Sequence, residues 1–346
     1  MPMRAIEIRI AIAVLLAACG MRGALAKAPP PSSPAQQIVT LAPMVVRGVF
    51  PGPALWKISK GGHVMWVLGI TSPLPKHMEW NPIEVDRLIA SSQRVLKLPG
   101  YYLYAKFAPS QGVLAPSAMD AAKHLPSGKT LHQVLPPDLY KRWAADKDKY
   151  LHGLYKWGVD TLRPQFAATK LYDAALRQSE LAYTGAVEDA VYAAAHKHDV
   201  PVESTEYTLQ LTNQLLSQFD QTSTQGQECL RSTLDAIDQH FPRATALANA
   251  WAIGDLPALR KLLSVKQQDP CFLDYAEMAG VNDISQRVQQ AWLAAAQKAL
   301  AQDTQSVALL PMSDLVTENG YLDALAKAGY MVRAPASLDS AAVSGP

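Results

Sequence analysis

The sequence predicts an α/β fold: one mixed sheet assembled from strands near the two ends of the chain, with a large helical middle between them. Three observations carry this. Two apolar runs, ALWKIS (54–59) and VMWVLGI (64–70), flank a Lys-Gly-Gly-His turn, the pattern of a β-hairpin. Most of the stretch between about 135 and 302 repeats apolar residues at steps of three and four, the period of an amphipathic helix. The chain then ends on strand–helix–strand: SVALLP (306–311), NGYLDALAKAGY (319–330) and MVRAP (331–335). At 346 residues, 49% apolar and 18% charged, it has ample material for a core and the composition of a globular protein. A formal net charge of +2, with no basic block interleaved with aromatics, excludes a nucleic-acid partner.

Taken in order, residues 1–26 read as an export signal. Arg4 and Arg9 flank a short charged region, Ile10 to Ala18 is apolar, and small residues follow. Two cleavage sites compete. LAAC, Leu16 to Cys19, looks like the lipobox of bacterial lipoproteins, in which Cys19 becomes the lipidated terminus. ALA, Ala24 to Ala26, looks like an ordinary peptidase site before Lys27. The apolar run stops directly at Cys19 and Arg22 fits poorly in an ordinary cleavage region, which favours the lipoprotein. The run is too short to span a bilayer, so membrane contact is expected only through a lipid anchor. The expected location is the periplasm, with the chain soluble or anchored.

Residues 27–52 form a Pro/Ser linker, KAPPPSSPAQ, followed by a β-branched stretch (38–50) in which Pro43 permits only an edge strand. The folded domain is expected over 53–335 and a frayed tail over 336–346. Within the domain, 82–93 has helical spacing with Pro82 near its start, and 94–98 returns as a strand. Helices are expected within 135–158, 164–182 and 186–199, a short strand at 200–204, and successive helices across 223–302. Gly254 supplies a helix C-cap and Asp255 the next N-cap. Export leaves the domain two cysteines, Cys229 and Cys271, an even count in an oxidising compartment. A bridge between them would add about 3–4 kcal/mol by the chain-entropy model. Two buried free thiols are the alternative.

H-E-x-x-H, G-x-S-x-G and the Rossmann glycine fingerprint are absent. SGKT (127–130) ends like a phosphate loop, but its opening glycine position is Lys123. His196 and His198 point apart on a helix and suit its C-terminal end better than a metal.

Four segments, in order and spacing across about 53–335, resemble the TraB/GumN family, which includes the Tiki proteases. PALWKISKGGHVMWVLGITSPLPKHMEWNPIEVDRLIASSQRVL is similar to its N-terminal hairpin, G-x-x-H turn, helix and third strand. VPVESTEYTLQLTNQLL resembles its strand with a Leu-Glu-Thr glutamate and the glutamine-bearing helix that follows. ANAWAIGDLPALRKLL is similar to its Trp–Gly–Asp helix junction. SVALLPMSDLVTENGYLDALAKAGYMV resembles its C-terminal strand, second G-x-x-H and closing helix. The resemblance implies a divalent-metal hydrolase built on two histidines and acidic residues.

The departures from that pattern matter as much. The first G-x-x-H is Gly69-Ile70-Thr71-Ser72, with serine in place of histidine. The second is Leu310-Pro311-Met312-Ser313, which loses glycine and histidine alike. A glutamate expected at the end of the third strand is matched by Lys97. The Glu-Arg-Asn segment before the last long helix keeps only Asn282, while Glu203 survives. A neutral imidazole is a strong donor to a divalent transition metal; a serine hydroxyl stays protonated and ligates poorly. An added ammonium opposes cation binding further. His77 lies five residues beyond Ser72 and reads as a surface-loop residue rather than a substitute ligand.

No confident catalytic residue or metal ligand emerges, and no cofactor is expected. Ser72, Lys97, Glu203, Asn282 and Ser313 remain the candidate cleft residues. The leading expectation is a non-catalytic envelope binding or assembly module that takes a protein or peptide ligand. The competing expectation is a peptidase or other hydrolase rebuilt on Ser72, Lys97, Glu203 and Ser313, with Lys97 as a neutral base for a serine nucleophile. A third is a lipoprotein whose anchoring and helical surface serve a protein partner. The aromatic run 101–107 is expected to line the cleft mouth, to bind a partner, or simply to pack.

Overall fold

A computed structural model describes residues 52–105, 116–183, 185–211, 223–263, 281–316 and 320–335. All of these belong to one unit, Gly48–Pro346. The expected export signal with Cys19, the expected linker and edge strand at 38–50, Cys271 and the expected tail lie outside the described residues.

Strands β1 (Leu55–Lys60) and β2 (His63–Ile70) form the expected antiparallel hairpin. Its two-residue turn needs positive φ at both central positions, and Gly61 and Gly62 supply +58° and +90°. The short strands β4 (Val95–Leu96) and β7 (Val202–Glu203), with β9 (Gln305–Pro311) and β10 (Met331–Arg333), complete a six-stranded sheet of order β10-β1-β2-β9-β4-β7. The segments 54–70 and 305–333 thus meet in one mixed sheet, as the sequence predicts. The inner pairs β2–β9, β9–β4 and β4–β7 are parallel, and the hairpin and β10 are antiparallel. β4 and β7 are shorter than the runs 94–98 and 200–204. Prolines close both: Pro99 follows Leu98, and Pro201, with no N–H, contributes only its carbonyl to Val95.

Helices cover both faces. Side chains alternate along a strand, so Lys97 shares a face with Val95, and Glu203 shares the other with its partner Leu96. Lys97 rests over Tyr192 of α6 (Gly185–Lys197), which packs beside α1 (Ile83–Ala90). Glu203 meets Lys298 of the long helix that precedes β9, residues Ile284–Gln302. The main core joins the sheet to these helices through Ile58, Met65, Leu68, Leu96 and Trp292, all fully buried or nearly so.

The middle of the chain builds a second core. Helices α2 (Pro116–Lys123), α3 (Leu131–Val134), α4 (Pro137–Tyr150) and α5 (Pro164–Gln178) lead into it, and α7 (Ser223–Gln239) packs on α4 and α5. Its centre is Trp143, Leu139, Leu171 and Leu230. Cys229, on α7, is buried in this cluster. Helices α8 (Ala244–Ala252) and α9 (Leu256–Leu263) meet at the junction expected from sequence. Gly254 takes φ +69°, and the Asp255 side chain accepts the Ala258 N–H at 3.0 Å as an N-cap.

Two features were not read from the sequence. Tyr101–Ala105 (β5) is a strand and pairs in parallel with Tyr207–Leu211 (β8), a ribbon that continues from β4 and β7. A second small sheet joins β3 (Leu74–Pro75) to β6 (Leu181–Ala182), tying the end of the hairpin segment to the helical middle. After the 19-residue helix Ile284–Gln302 (α10), the chain adds the short α11 (Met312–Val316) and α12 (Tyr321–Lys327).

Candidate functional site at the carboxyl ends of the central strands

β2 and β9 are neighbours, parallel, and in register with Gly69 opposite Leu310 and Ile70 opposite Pro311. Parallel strands lie about 4.8 Å apart, so the topology brings the two G-x-x-H-like turns side by side. Ser72 and Ser313 therefore leave adjacent strands at the carboxyl edge, where open α/β sheets hold their ligands.

Gly69 is where the two turns touch. A Cβ placed on it would lie 2.5 Å from Met312 Cε, 2.9 Å from Met312 Sδ and 2.8 Å from Leu315 Cδ1. The glycine is required because α11 rises from the end of β9 and lays Met312 across it. Met312 is 1% exposed, so its thioether side chain closes the space between the turns. From below, Trp251 Nε1 donates to the Gly69 carbonyl at 2.6 Å. Trp251 also takes the ring of Trp80 edge-on, with centroids 5.3 Å apart.

Ser72 is half-buried, and its hydroxyl donates to the carbonyl of Tyr183, just beyond β6. Its neighbour Thr71 is 3% exposed, and its Oγ1 has no hydrogen-bond partner among the described residues. Ser313 sits in the first turn of α11. His77 is exposed.

Lys97 lies lower. Leu96 is opposite Ala308, so Lys97 falls level with Leu309, short of the Pro311 step where the serines emerge. Its ammonium stands 5.6 Å from the centre of the Tyr192 ring, and among the described residues it makes no hydrogen bond to Ser72 or Ser313. Burial, with Glu188 close by, pushes the Tyr192 hydroxyl well above the usual tyrosine range.

Glu203 faces the other way. Arg94 Nη1 reaches one carboxylate oxygen at 2.6 Å and Lys298 Nζ the other at 3.0 Å. Arg94 also holds Asp303, through Nε to one oxygen and through Nη2 to the other at 2.9 Å. Asp303 follows the last turn of α10, so one guanidinium links the end of that helix to the edge strand β7. Burial raises the Glu203 pKa, but hydrogen bonds from Lys298 and Arg94 outweigh it and the net shift is downward. Asn282 is exposed at the amino end of α10, beside the Asp283–Arg287 pair.

The fold thus sets Ser72 and Ser313 just past the ends of adjacent strands, puts Lys97 and Glu203 on opposite faces of the sheet, and leaves Asn282 at a helix end. Arg94, Met312, Thr71 and Trp251 complete the surroundings; of these the sequence reading singled out only Trp251. Among the described residues no three His, Cys, Asp or Glu side chains gather as a metal-holding group. The donors present at the family's positions do not fit a divalent cation: one carboxylate is held by two cations, and one hydroxyl is committed to a backbone carbonyl.

These features define a class of α/β protein in which two strand-end turns sit side by side on neighbouring parallel strands. The profile of the TraB/PrgY/gumN family matches residues 54–334, nearly all of the described domain, and the chain belongs to that family. No curated protein and no solved structure matches the chain.

Proposed function

We propose that this is an exported envelope protein whose cleft binds a protein or peptide ligand without turning it over. The observation that carries this is the fate of Glu203. It is the acidic residue retained from the family pattern, yet its charge is already neutralised by Arg94 and Lys298. A carboxylate so held has little capacity left to ligate a metal or to act as a base. Loss of both histidines at the paired turns supports the same conclusion. The competing hydrolase needs Lys97 within reach of Ser72 or Ser313. The Ser72 hydroxyl is instead given to Tyr183, and Lys97 lies over Tyr192.

The test is turnover of a broad peptide mixture by the purified mature domain, with and without added Mn²⁺, Co²⁺ or Zn²⁺. The expected result is no cleavage above that of a Ser72→Ala, Ser313→Ala double variant. Cleavage that this variant abolishes would establish the hydrolase.

Export and lipidation belong to the same proposal. Among the described residues no helix is long and apolar enough to cross a membrane. If LAAC is the processing site, radiolabelled palmitate is incorporated by the full-length protein expressed in a bacterial host and is lost in Cys19→Ala. Label-free protein beginning at Lys27 would favour the ordinary cleavage site. In an oxidising compartment Cys229 is proposed to pair with Cys271 as a structural staple.

A further inference from the structure

We propose that Glu203 is the hub of a built-in cation clasp, in which Arg94 and Lys298 supply the positive charge that the family pattern assigns to a metal. This goes beyond the binding-module reading, because it concerns what Glu203 and Arg94 do whichever ligand the cleft takes. The clasp would make the outer half of the sheet independent of any divalent ion.

The geometry is that of a structural junction. Arg94 precedes β4, Glu203 ends β7, Lys298 lies in the last turns of α10, and Asp303 stands between α10 and β9. Three stretches distant in sequence, at Arg94, at Glu203 and at 298–303, converge on one guanidinium and two carboxylates. β7 pairs with β4 over only two residue positions, Val95↔Val202 and Leu96↔Glu203. So short an edge strand has few ladder bonds to hold it, and side-chain anchoring counts for more. The Arg94 side chain is 15% exposed and that of Asp303 7%, so this pair is shielded from solvent, whereas Lys298 at 52% is a rim contact. Arg94 fits the task better than a lysine would, because its planar fork engages both carboxylates at once. Removing it leaves Asp303 buried without its counter-ion beside Glu203, and uncompensated buried charge is strongly destabilising.

A metal reading would instead require Glu203 to turn towards the carboxyl edge. Its oxygens are held by Arg94, which enters from the amino-terminal side of β4, and by Lys298 on the α10 face. The thioether of Met312 meanwhile closes the gap beside Gly69.

The test is thermal unfolding of the mature domain after exhaustive chelation, followed by titration with Mn²⁺, Co²⁺ and Zn²⁺. The wild type is expected to show the same Tm with chelator as with each metal. Glu203→Gln, nearly isosteric, is expected to fold with a lower Tm and equal indifference to metal. Arg94→Met is expected to lower Tm further, and Arg94→Lys to recover only part of the loss. Should Arg94→Met not fold, the wild-type and Glu203→Gln titrations still decide. A metal-induced rise in wild-type Tm that Glu203→Gln abolishes would overturn the clasp by showing Glu203 to be a ligand. Wild-type stability in both Glu203→Gln and Arg94→Met would overturn its structural role. Metal binding without peptide cleavage would sink this inference and leave the binding-module proposal standing; metal-independent, serine-dependent cleavage would do the reverse.

Discussion

Trp251→Ala is expected to lower the stability of the domain by about 3–5 kcal/mol, the range for removing a large buried aromatic. Trp251 is fully buried, at 0% exposure, and lies in the main core where α8 passes beneath the ends of β2 and β3. Two losses combine. The indole volume leaves a cavity beside Trp80, whose ring it meets edge-on. The Gly69 carbonyl also loses the indole N–H that donates to it at 2.6 Å. Trp251→Phe separates them, since it keeps most of the volume and drops only the donor; leaving a buried carbonyl unpaired costs about 1–3 kcal/mol. Urea unfolding followed by circular dichroism would give both values. A midpoint for Trp251→Phe equal to wild type would show that the Gly69 bond carries no net stability. Trp251→Ala is also expected to loosen the first strand-end turn, because Gly69 is the start of the segment that carries Ser72.

Local pattern made much of this fold legible. The Gly-Gly turn between two apolar runs specifies a tight hairpin whatever its surroundings, and the Gly254–Asp255 junction is written in cap residues that act within a few positions. Ser72 and Ser313 could be paired from sequence because each closes a strand and because the motif resemblance links them. Lys97 and Glu203 could not be placed in the same way. Their separation onto opposite faces depends on which residue of each short strand points up, and one step of register reverses that. The Arg94 clasp was hidden for a related reason. Arg94 and Asp303 are 209 positions apart, and a single arginine before a strand carries no periodic signal. The β5–β8 ribbon joins two short runs in parallel across more than a hundred residues, and apolar runs of that length do not distinguish strand from helix.

Gly69→Ala is the complementary case, in which adding one carbon is expected to cost about 1–3 kcal/mol by overpacking. In an open strand alanine would be harmless or better than glycine. Here the new Cβ would sit 2.5 Å from Met312 Cε and 2.8 Å from Leu315 Cδ1, both far closer than van der Waals contact. The methionine end can swing aside, but Met312 and Leu315 are 1% and 7% exposed and have little free space to enter. The residues should therefore be coupled. Met312→Ala alone removes a buried side chain and costs about 2–5 kcal/mol. With Met312→Ala in place, two of the three close contacts are gone and Leu315 can shift into the space vacated, so Gly69→Ala is expected to cost less than it does alone. The double-mutant cycle should then show the two changes coupled favourably by about 0.5–3 kcal/mol. Strict additivity would mean that Met312 does not pack on Gly69 in solution, and that the space between the two turns is open. That result would bear directly on the proposed binding role, because Met312 stands one residue before Ser313 and packs against the start of the first turn.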